Sequence, residues 1–127
     1  MTPRLPAPKE RTVQRQIVAG LRQLGLGVVA IPNGGEYRGS PEMRARMAIA
    51  RRQEGVVSGF PDLMVLSKRG APMTCFLEVK RPGVSLSGEH VARQLECHAA
   101  LTADGHNVAI VRSLDDAIAA VKSWGMI

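Results

Sequence analysis

Apolar residues recur along this chain with two different periods, and the periods divide it into helices and strands. Val13, Ile17, Leu21 and Leu24 are spaced by four, four and three residues, which is typical of a helix that buries one face. We therefore predict a helix over residues 10–24, where the glycines that follow end the pattern.

The rest of the chain is interpreted in the same way. Short apolar runs between turn residues predict strands, and 3.6-residue spacing behind capping residues predicts helices. The strands are expected at 28–31, 60–66, 74–80 and 107–112, and the further helices at 40–53, 88–103 and from 114 onward. The predicted order is therefore α, β, α, β, β, α, β, α.

Two of these helices begin with capping residues. Ser40 precedes a proline and a glutamate, and Ser113 is followed three residues later by Asp116, so both serines are predicted N-caps. In the helix over 40–53, three small or apolar side chains share one edge, and the arginines lie largely elsewhere. The residues of this edge are Met43, Met47 and Ala50.

The strands over 60–66 and 74–80 are joined by a basic turn, residues 68–72, and form a predicted hairpin. Because strand side chains alternate between faces, Glu78 and Lys80 point to one side, and the hairpin brings Asp62 back close to them. Two carboxylates and a lysine on an otherwise apolar sheet are costly to bury unless they bind something. A divalent cation is the natural partner.

These residues also carry a resemblance to a known family. Pro61-Asp62 followed by Glu78-Val79-Lys80 resembles the PD-(D/E)xK nuclease signature. A wider ordered set is similar to the virus-type replication-repair nuclease (VRR-NUC) family, and the likeness extends from about residue 10 to 124. That set comprises Ile31-Pro32-Asn33-Gly34-Gly35, Gly59-Phe60-Pro61-Asp62, Glu78-Val79-Lys80 and Leu86-Ser87.

The resemblance implies an α/β fold of the PD-(D/E)xK type. Its core is αβββαβ, a mixed four-stranded sheet flanked by helices, and the basic helix over 40–53 is an insertion. It also implies a metal-dependent DNA endonuclease, acting on branched DNA such as four-way junctions and working as a homodimer.

The resemblance further implies roles for individual residues. Asp62, Glu78 and the backbone carbonyl of Val79 would hold the metal, and these oxygen ligands suit Mg²⁺ or Mn²⁺ rather than zinc. Lys80 would orient or deprotonate the attacking water and stabilise the transition state. The candidate catalytic set is completed by Glu10 and Gln94, acting directly or through waters.

Two of these assignments stay open. Glu10 is either an acid placed favourably in a helix's first turn or a residue that reaches the metal. In the helix over 88–103, apolar spacing puts Val91, Leu95, His98 and Thr102 on one side, and Gln94 would project toward the site. Glu89 or His90 could occupy that space instead.

Composition sets the broader frame. With 127 residues, 45% of them hydrophobic, the chain is long enough for one domain, which we expect at 9–127 after a loose arm at 1–8. Cys75 and Cys97 are expected to be small buried hydrophobes in a reducing cytosol. We see no signal peptide or membrane-length apolar run, so a soluble cytoplasmic protein is expected; the resemblance suggests a bacterial or phage-infected cell.

The net charge of +6 is unevenly distributed. Residues 1–55 hold ten of the 17 Lys and Arg but only four of the 11 Asp and Glu. This asymmetry favours a polyanion bound through its phosphates, with a merely solvated basic surface as the alternative. The candidate DNA-binding residues are Arg38, Arg44, Arg51, Arg52, Lys68, Arg69, Arg81 and Asn33.

Other functions remain as alternatives. The chain could be a non-catalytic DNA-binding module with a nuclease-like fold, or a nuclease that acts on flap or linear duplex DNA. A zinc site is disfavoured, because the spacings of His90, His98 and His106 match no zinc signature. A sequence-specific restriction enzyme would need additional elements for reading base edges.

Overall fold

The computed structural model describes residues 7–32, 38–66 and 73–127. Within these ranges the chain forms four helices and four strands in the predicted order. Their bounds are α1 Glu10–Gln23, β1 Gly27–Ala30, α2 Pro41–Gln53, β2 Leu63–Leu66, β3 Cys75–Val79, α3 Glu89–Ala103, β4 Asn107–Val111 and α4 Leu114–Ser123. The predicted turn at 68–72, the candidates Asn33, Lys68 and Arg69, and residues 1–6 of the predicted arm lie outside the described ranges.

The described strands form one mixed sheet in the order β1-β2-β3-β4. Strand β2 is antiparallel to β1 and to β3, whereas β3 and β4 are parallel. A parallel connection has to cross over the sheet, and α3 provides that crossover. The predicted α/β fold class, a mixed four-stranded sheet flanked by helices, is confirmed.

The apolar core lies on the face of the sheet that α1 and α4 cover. Val13, Ile17 and Leu21 are at most 1% exposed, so the stripe predicted for α1 is correct over three of its four positions. Leu24 is instead 46% exposed, because it is the C-cap residue and lies beyond the last helical turn. On β3, Leu77 belongs to the same buried cluster.

The opposite face of β3 is polar toward one end. All five residues of β3 are buried, so other parts of the protein cover both faces of this strand. Phe76 packs edge-on against Phe60, with ring centroids 5.2 Å apart, and further along the same face lie Glu78 and Lys80. Helix α3 covers this face of β3, so the inner side of the helix contacts charged groups rather than an apolar core.

Helix α2 begins as predicted and lies outside the core. The predicted N-cap is confirmed, since the Ser40 Oγ accepts a hydrogen bond from the Met43 backbone N–H at 3.2 Å. No residue of the helix is buried, however, and Met43 is 54% exposed. The apolar edge formed by Met43, Met47 and Ala50 therefore does not pack into the core, because α2 lies outside the layers that enclose it.

The remaining local expectations have mixed outcomes. Ser113 caps α4 by accepting a hydrogen bond from the Asp116 N–H at 3.1 Å, as predicted. Cys75 is buried, but Cys97 is only half-buried, so the expectation of two buried thiols was wrong for Cys97. In the parts of the chain that the structure describes, no helix has the length and apolar character needed to cross a membrane.

Candidate active site

Asp62 is attached directly to the strand that carries the other predicted site residues. It lies just before β2, and its Oδ2 accepts a hydrogen bond from the Val79 backbone N–H at 2.8 Å. Val79 stands between Glu78 and Lys80 at the end of β3, beyond the last residues paired with β2. The predicted approach of Asp62 to Glu78 is confirmed, since the two carboxyl groups also interact directly.

Gly59 allows the loop before Asp62 to lie against α3. Its φ of +83° is in the region that favours glycine, and a Cβ at this position would lie 3.0 Å from the backbone carbonyl carbon and oxygen of Arg93. A side chain would therefore push the loop away from the helix. The glycine of the Gly59-Phe60-Pro61-Asp62 motif is required by this close approach.

Gln94 connects Glu78 and Lys80. Its Oε1 accepts a hydrogen bond from Lys80 Nζ at 2.7 Å, and its Nε2 donates to Glu78 Oε1 at 2.9 Å. Lys80 Nζ is also 3.5 Å from Glu78 Oε1. Exposure is 1% for Glu78 and 6% for each of the other two, which rules out an ordinary surface ladder pair.

The structure thereby places Gln94 at the helix position that the sequence left open. Of the four residues that apolar spacing put on one side, Val91 and His98 are buried, whereas Leu95 is 44% exposed and Thr102 is exposed; the third buried residue of α3 is Gln94. The helix is rotated relative to the apolar prediction because an amide can bond to the charged groups of β3 and a leucine cannot. Glu89 is exposed.

His90 contacts the same network at its open side. Its Nε2 is 3.2 Å from Gln94 Nε2, and the Gln94 amide nitrogen is the donor because its oxygen already accepts from Lys80. This contact is a hydrogen bond in the His90 tautomer that carries its ring hydrogen on Nδ1 and accepts at Nε2.

These side chains line an open cleft with a volume of about 390 Å³. The cleft is lined by Glu10, Ser58, Gly59, Asp62, Glu78, Lys80, His90 and Gln94. All five predicted catalytic side chains are therefore brought together. Ser58 was missed, because a single serine in a loop gives no sequence signal. The carboxylate of Glu10 comes from the first turn of α1.

The electrostatics of the cleft are dominated by its carboxylates. Burial, together with the negative charge of Glu78 and a smaller effect of Glu10, raises the pKa of Asp62 from 3.8 to about 7, although the hydrogen bond from the Val79 N–H opposes the shift. The Glu78 Oε2 is buried and has no hydrogen-bond partner. Lys80 Nζ offsets part of this negative charge, and two carboxylates held this close together can also bind a divalent cation.

The donor set fits a hard divalent cation. Asp62 and Glu78 supply carboxylate oxygens, and an oxygen that accepts one hydrogen bond retains a second lone pair for an ion. Among the described residues, no group of three or more His, Cys, Asp and Glu side chains is close enough to hold a metal by itself. Two carboxylates and a backbone carbonyl would leave positions for water and substrate, as Mg²⁺ requires.

The candidate DNA-binding residues that the structure describes do not line the cleft. Arg44, Arg51 and Arg52 are exposed on α2, and Arg38 is exposed just before this helix. Arg81 is exposed directly after Lys80, and its backbone carbonyl accepts a hydrogen bond from Arg112 Nη1 at 3.1 Å. The arginines of α2 thus form a surface separate from the residues that line the site.

Comparison with protein-family models and with curated proteins finds no match. Solved structures do match. One, a "VRR_NUC domain", is 24% identical with a TM-score of 0.59, and the match covers 93% of this chain and 99% of the other. A second, a "VRR_NUC domain protein", is 21% identical with a TM-score of 0.59, and the match covers 94% of this chain and 90% of the other.

These two likenesses confirm the resemblance that the motifs indicated. The chain has the fold of the VRR_NUC domain, a mixed sheet with flanking helices consistent with the PD-(D/E)xK core. At this level of identity the likeness establishes the fold, and the chemistry has to be argued from the site.

Proposed function

We propose that this protein is a divalent-metal-dependent nuclease that hydrolyses phosphodiester bonds in DNA. The observation that carries the proposal is the group formed by the partly buried Asp62 with the buried Glu78 and Lys80, connected by hydrogen bonds at an open cleft in a VRR_NUC fold. Burying charged groups in this way lowers the stability of the fold, so their presence in a cleft points to a functional role.

Asp62, Glu78 and the carbonyl of Val79 would hold the metal ion. When bound, Mg²⁺ or Mn²⁺ supplies Lewis acidity toward the phosphate and favours formation of a nucleophile from water. Because the pKa of Asp62 is raised to about 7 in the absence of an ion, binding displaces a proton from this carboxyl near neutral pH. Glu10 lines the same cleft and would contact the ion directly or through water.

Lys80 would act on the reacting phosphate and the attacking water. An ammonium group has three hydrogens; Gln94 Oε1 accepts one, and Glu78 Oε1 lies close to the group. At least one hydrogen is left to point into the cleft, where it can orient the water or stabilise charge developing on the phosphate. Gln94 holds the ammonium in place and thereby fixes its direction.

The exposed arginines of α2 would bind the DNA backbone. A helix that buries none of its residues gains little from packing, and α2 presents Arg44, Arg51 and Arg52 to solvent. The guanidinium group can bind two phosphate oxygens at once, so this surface suits a polyanion. Arg38 and Arg81 would extend it, as would Asn33, Lys68 and Arg69.

We further propose branched DNA, such as four-way junctions, as the preferred substrate and a homodimer as the working form. The resemblance to the VRR-NUC family supports both, and a chain that carries one set of Asp62, Glu78 and Lys80 would need a second chain for symmetric cleavage. Residues 9–127 would form one domain after an arm at 1–8. The setting would be DNA repair or phage DNA processing in a bacterial or phage-infected cytoplasm.

A cleavage assay tests the proposal. Labelled four-way junction, flap and linear duplex are incubated with wild type, Lys80→Met and Lys122→Ala in Mg²⁺, in Mn²⁺ and in EDTA. We expect wild type to cut only with metal. Lys80→Met should still bind DNA, but its cleavage rate should fall by about 100-fold or more. Lys122 is exposed on α4, so its substitution should change nothing.

The assay also separates the alternatives. Binding of the junction without cleavage in either metal would support a non-catalytic DNA-binding module. If flap or linear duplex is cut faster than the junction, that DNA is the preferred substrate. Cleavage that continues in EDTA, or that survives Lys80→Met, would contradict the metal-dependent mechanism.

A further inference from the structure

The carboxylate of Glu78 has a second side that the proposed mechanism does not use. Its Oε1 accepts a hydrogen bond from Gln94, whereas its Oε2 is buried and has no hydrogen-bond partner. The Nε2 of His98 is also buried and without a partner, and it lies 3.8 Å from that oxygen. Two unsatisfied buried polar atoms therefore face each other.

Helix geometry explains why His98 reaches this place. Residues four apart lie on the same face of a helix, so Gln94 and His98 both project from α3 toward β3. Gln94 meets one oxygen of Glu78 and His98 lies beside the other. His98 is 8% exposed, so neither its ring nor the carboxylate oxygen is satisfied by bulk solvent.

The 3.8 Å separation is about 1 Å longer than a hydrogen bond between such groups. A small rotation of either side chain closes the difference. An unpaired buried acceptor is unfavourable, and an imidazole N–H is the donor placed to satisfy it. Burial, and to a smaller extent the charge of Glu78, raise the pKa of the neighbouring Cys97 thiol, but sulfur is a weak donor.

We propose that His98 is a positioning residue for Glu78, donating its Nε2–H to Oε2 and fixing the carboxylate in the orientation that holds the metal through Oε1. This inference rests on the proposed function, because it assumes that Glu78 is a metal ligand. A carboxylate that accepts hydrogen bonds at both oxygens is already fixed in orientation before the ion binds. Because no side-chain freedom is then lost on binding, these hydrogen bonds increase metal affinity. Outer partners of this kind typically change affinity or activity by about 10- to 100-fold.

The test compares variants that keep or remove the donor. His98→Gln retains an N–H at similar reach, whereas His98→Leu removes it, and His98→Ala is a second donor-free variant should the leucine prevent folding. Cys97→Ala removes the neighbouring thiol as a matched control. Mn²⁺ affinity is measured by calorimetry, folding by the thermal midpoint in EDTA, and cleavage as kcat and KM at varied Mg²⁺.

We expect His98→Leu to weaken Mn²⁺ binding and raise the Mg²⁺ requirement about 10- to 100-fold, with KM for DNA unchanged. His98→Gln should recover most of the loss, and Cys97→Ala should behave as wild type. Mn²⁺ affinity equal to wild type in a folded donor-free variant would overturn the inference, as would a His98→Gln variant as weak as His98→Leu.

The calorimetry distinguishes failure of this inference from failure of the proposed function. If wild type binds Mn²⁺ but cuts no DNA, the proposed nuclease activity is wrong, and the variants still decide the role of His98 by their affinities. If wild type binds no Mn²⁺ at all, the metal site and the positioning role are overturned together.

Discussion

Substitution of Asp62 by asparagine tests the electrostatics of the cleft without any substrate. Burial and the charge of Glu78 raise the pKa of Asp62 from 3.8 to about 7, so the ionised carboxylate is unfavourable in the folded, metal-free protein. Asparagine has nearly the same shape, carries no charge, and its Oδ1 can still accept the hydrogen bond from the Val79 N–H. The variant should therefore be more stable than wild type when no metal is present.

The sign and size of this effect depend on pH. Below pH 3.8 the carboxyl is protonated in both the folded and the unfolded chain, so its contribution to stability is fully present. As pH rises, the unfolded chain loses the proton first, and the contribution is lost by the time pH has passed about 7. A shift of this size corresponds to at most about 4 kcal/mol in favour of Asp62→Asn above pH 7.

Unfolding by urea or heat at about pH 4 and about pH 8 measures the effect, in EDTA and in Mn²⁺. In EDTA the advantage of Asp62→Asn should be near zero at the lower pH and largest at the higher, where each kcal/mol raises the thermal midpoint by roughly 4 °C. Mn²⁺ should stabilise wild type and have little effect on the variant, because the ligand charge is lost.

Asp104→Asn makes the same chemical change at an exposed residue and serves as the matched control. It should show neither the pH-dependent gain nor the loss of the response to Mn²⁺. If Asp62→Asn in EDTA is no more stable than wild type at the higher pH, the ionised Asp62 carboxylate does not destabilise the fold. If the variant gains as much stability from Mn²⁺ as wild type does, Asp62 is not a metal ligand.

Three further predictions concern the surroundings of the site. Gln94→Leu leaves Lys80 Nζ and Glu78 Oε1 without this partner, so we expect a loss of about 1–3 kcal/mol in urea unfolding; an unchanged midpoint would contradict the network. Gly59→Ala should cost more stability than Gly83→Ala, because both glycines have positive φ but only Gly59 approaches a backbone, so equal losses would rule out that contact. Arg51→Ala combined with Arg52→Ala should lower the slope of log K against log salt for DNA binding by about 1–2, and an unchanged slope would remove α2 from the interface.

Local periodicity predicted much of the fold. A helix that buries one face repeats its apolar residues every three or four positions, and Val13, Ile17 and Leu21 follow this rule into the core. Capping is equally local, so Ser40 and Ser113 could be identified from their immediate neighbours. Element order needed no knowledge of distant contacts, and the fold class followed from that order together with the family resemblance.

The centre of the site was also predictable, because its geometry comes from strand alternation. Glu78 and Lys80 are two residues apart and must share a face of β3. The apolar residues around them made burial of the pair foreseeable, and Pro61-Asp62 at the start of the neighbouring strand supplied the second carboxylate. The hydrogen bond from the Val79 N–H to Asp62 could not be foreseen, since it depends on where the ladder between β2 and β3 ends.

Apolar spacing alone did not predict the orientation of α3, although the family resemblance favoured Gln94 at the site. Apolar spacing favoured Leu95 as an inward residue, whereas the structure buries Gln94 and exposes Leu95. Which face of a helix is buried depends on the surface it covers, and α3 covers the polar end of β3. For the same reason the approach of His98 to Glu78 became visible only in the tertiary structure.

Residue order along the chain was sufficient for the helices, the strands and the pair of carboxylates with their lysine, because backbone periodicity and capping act over a few residues. Only the folded chain decided how α3 is rotated, that α2 stays outside the core, and that the pKa of Asp62 rises to about 7. Each of these depends on groups far apart in sequence. Folding removes water from such groups and brings like charges close together, and both effects appear only once the chain has folded.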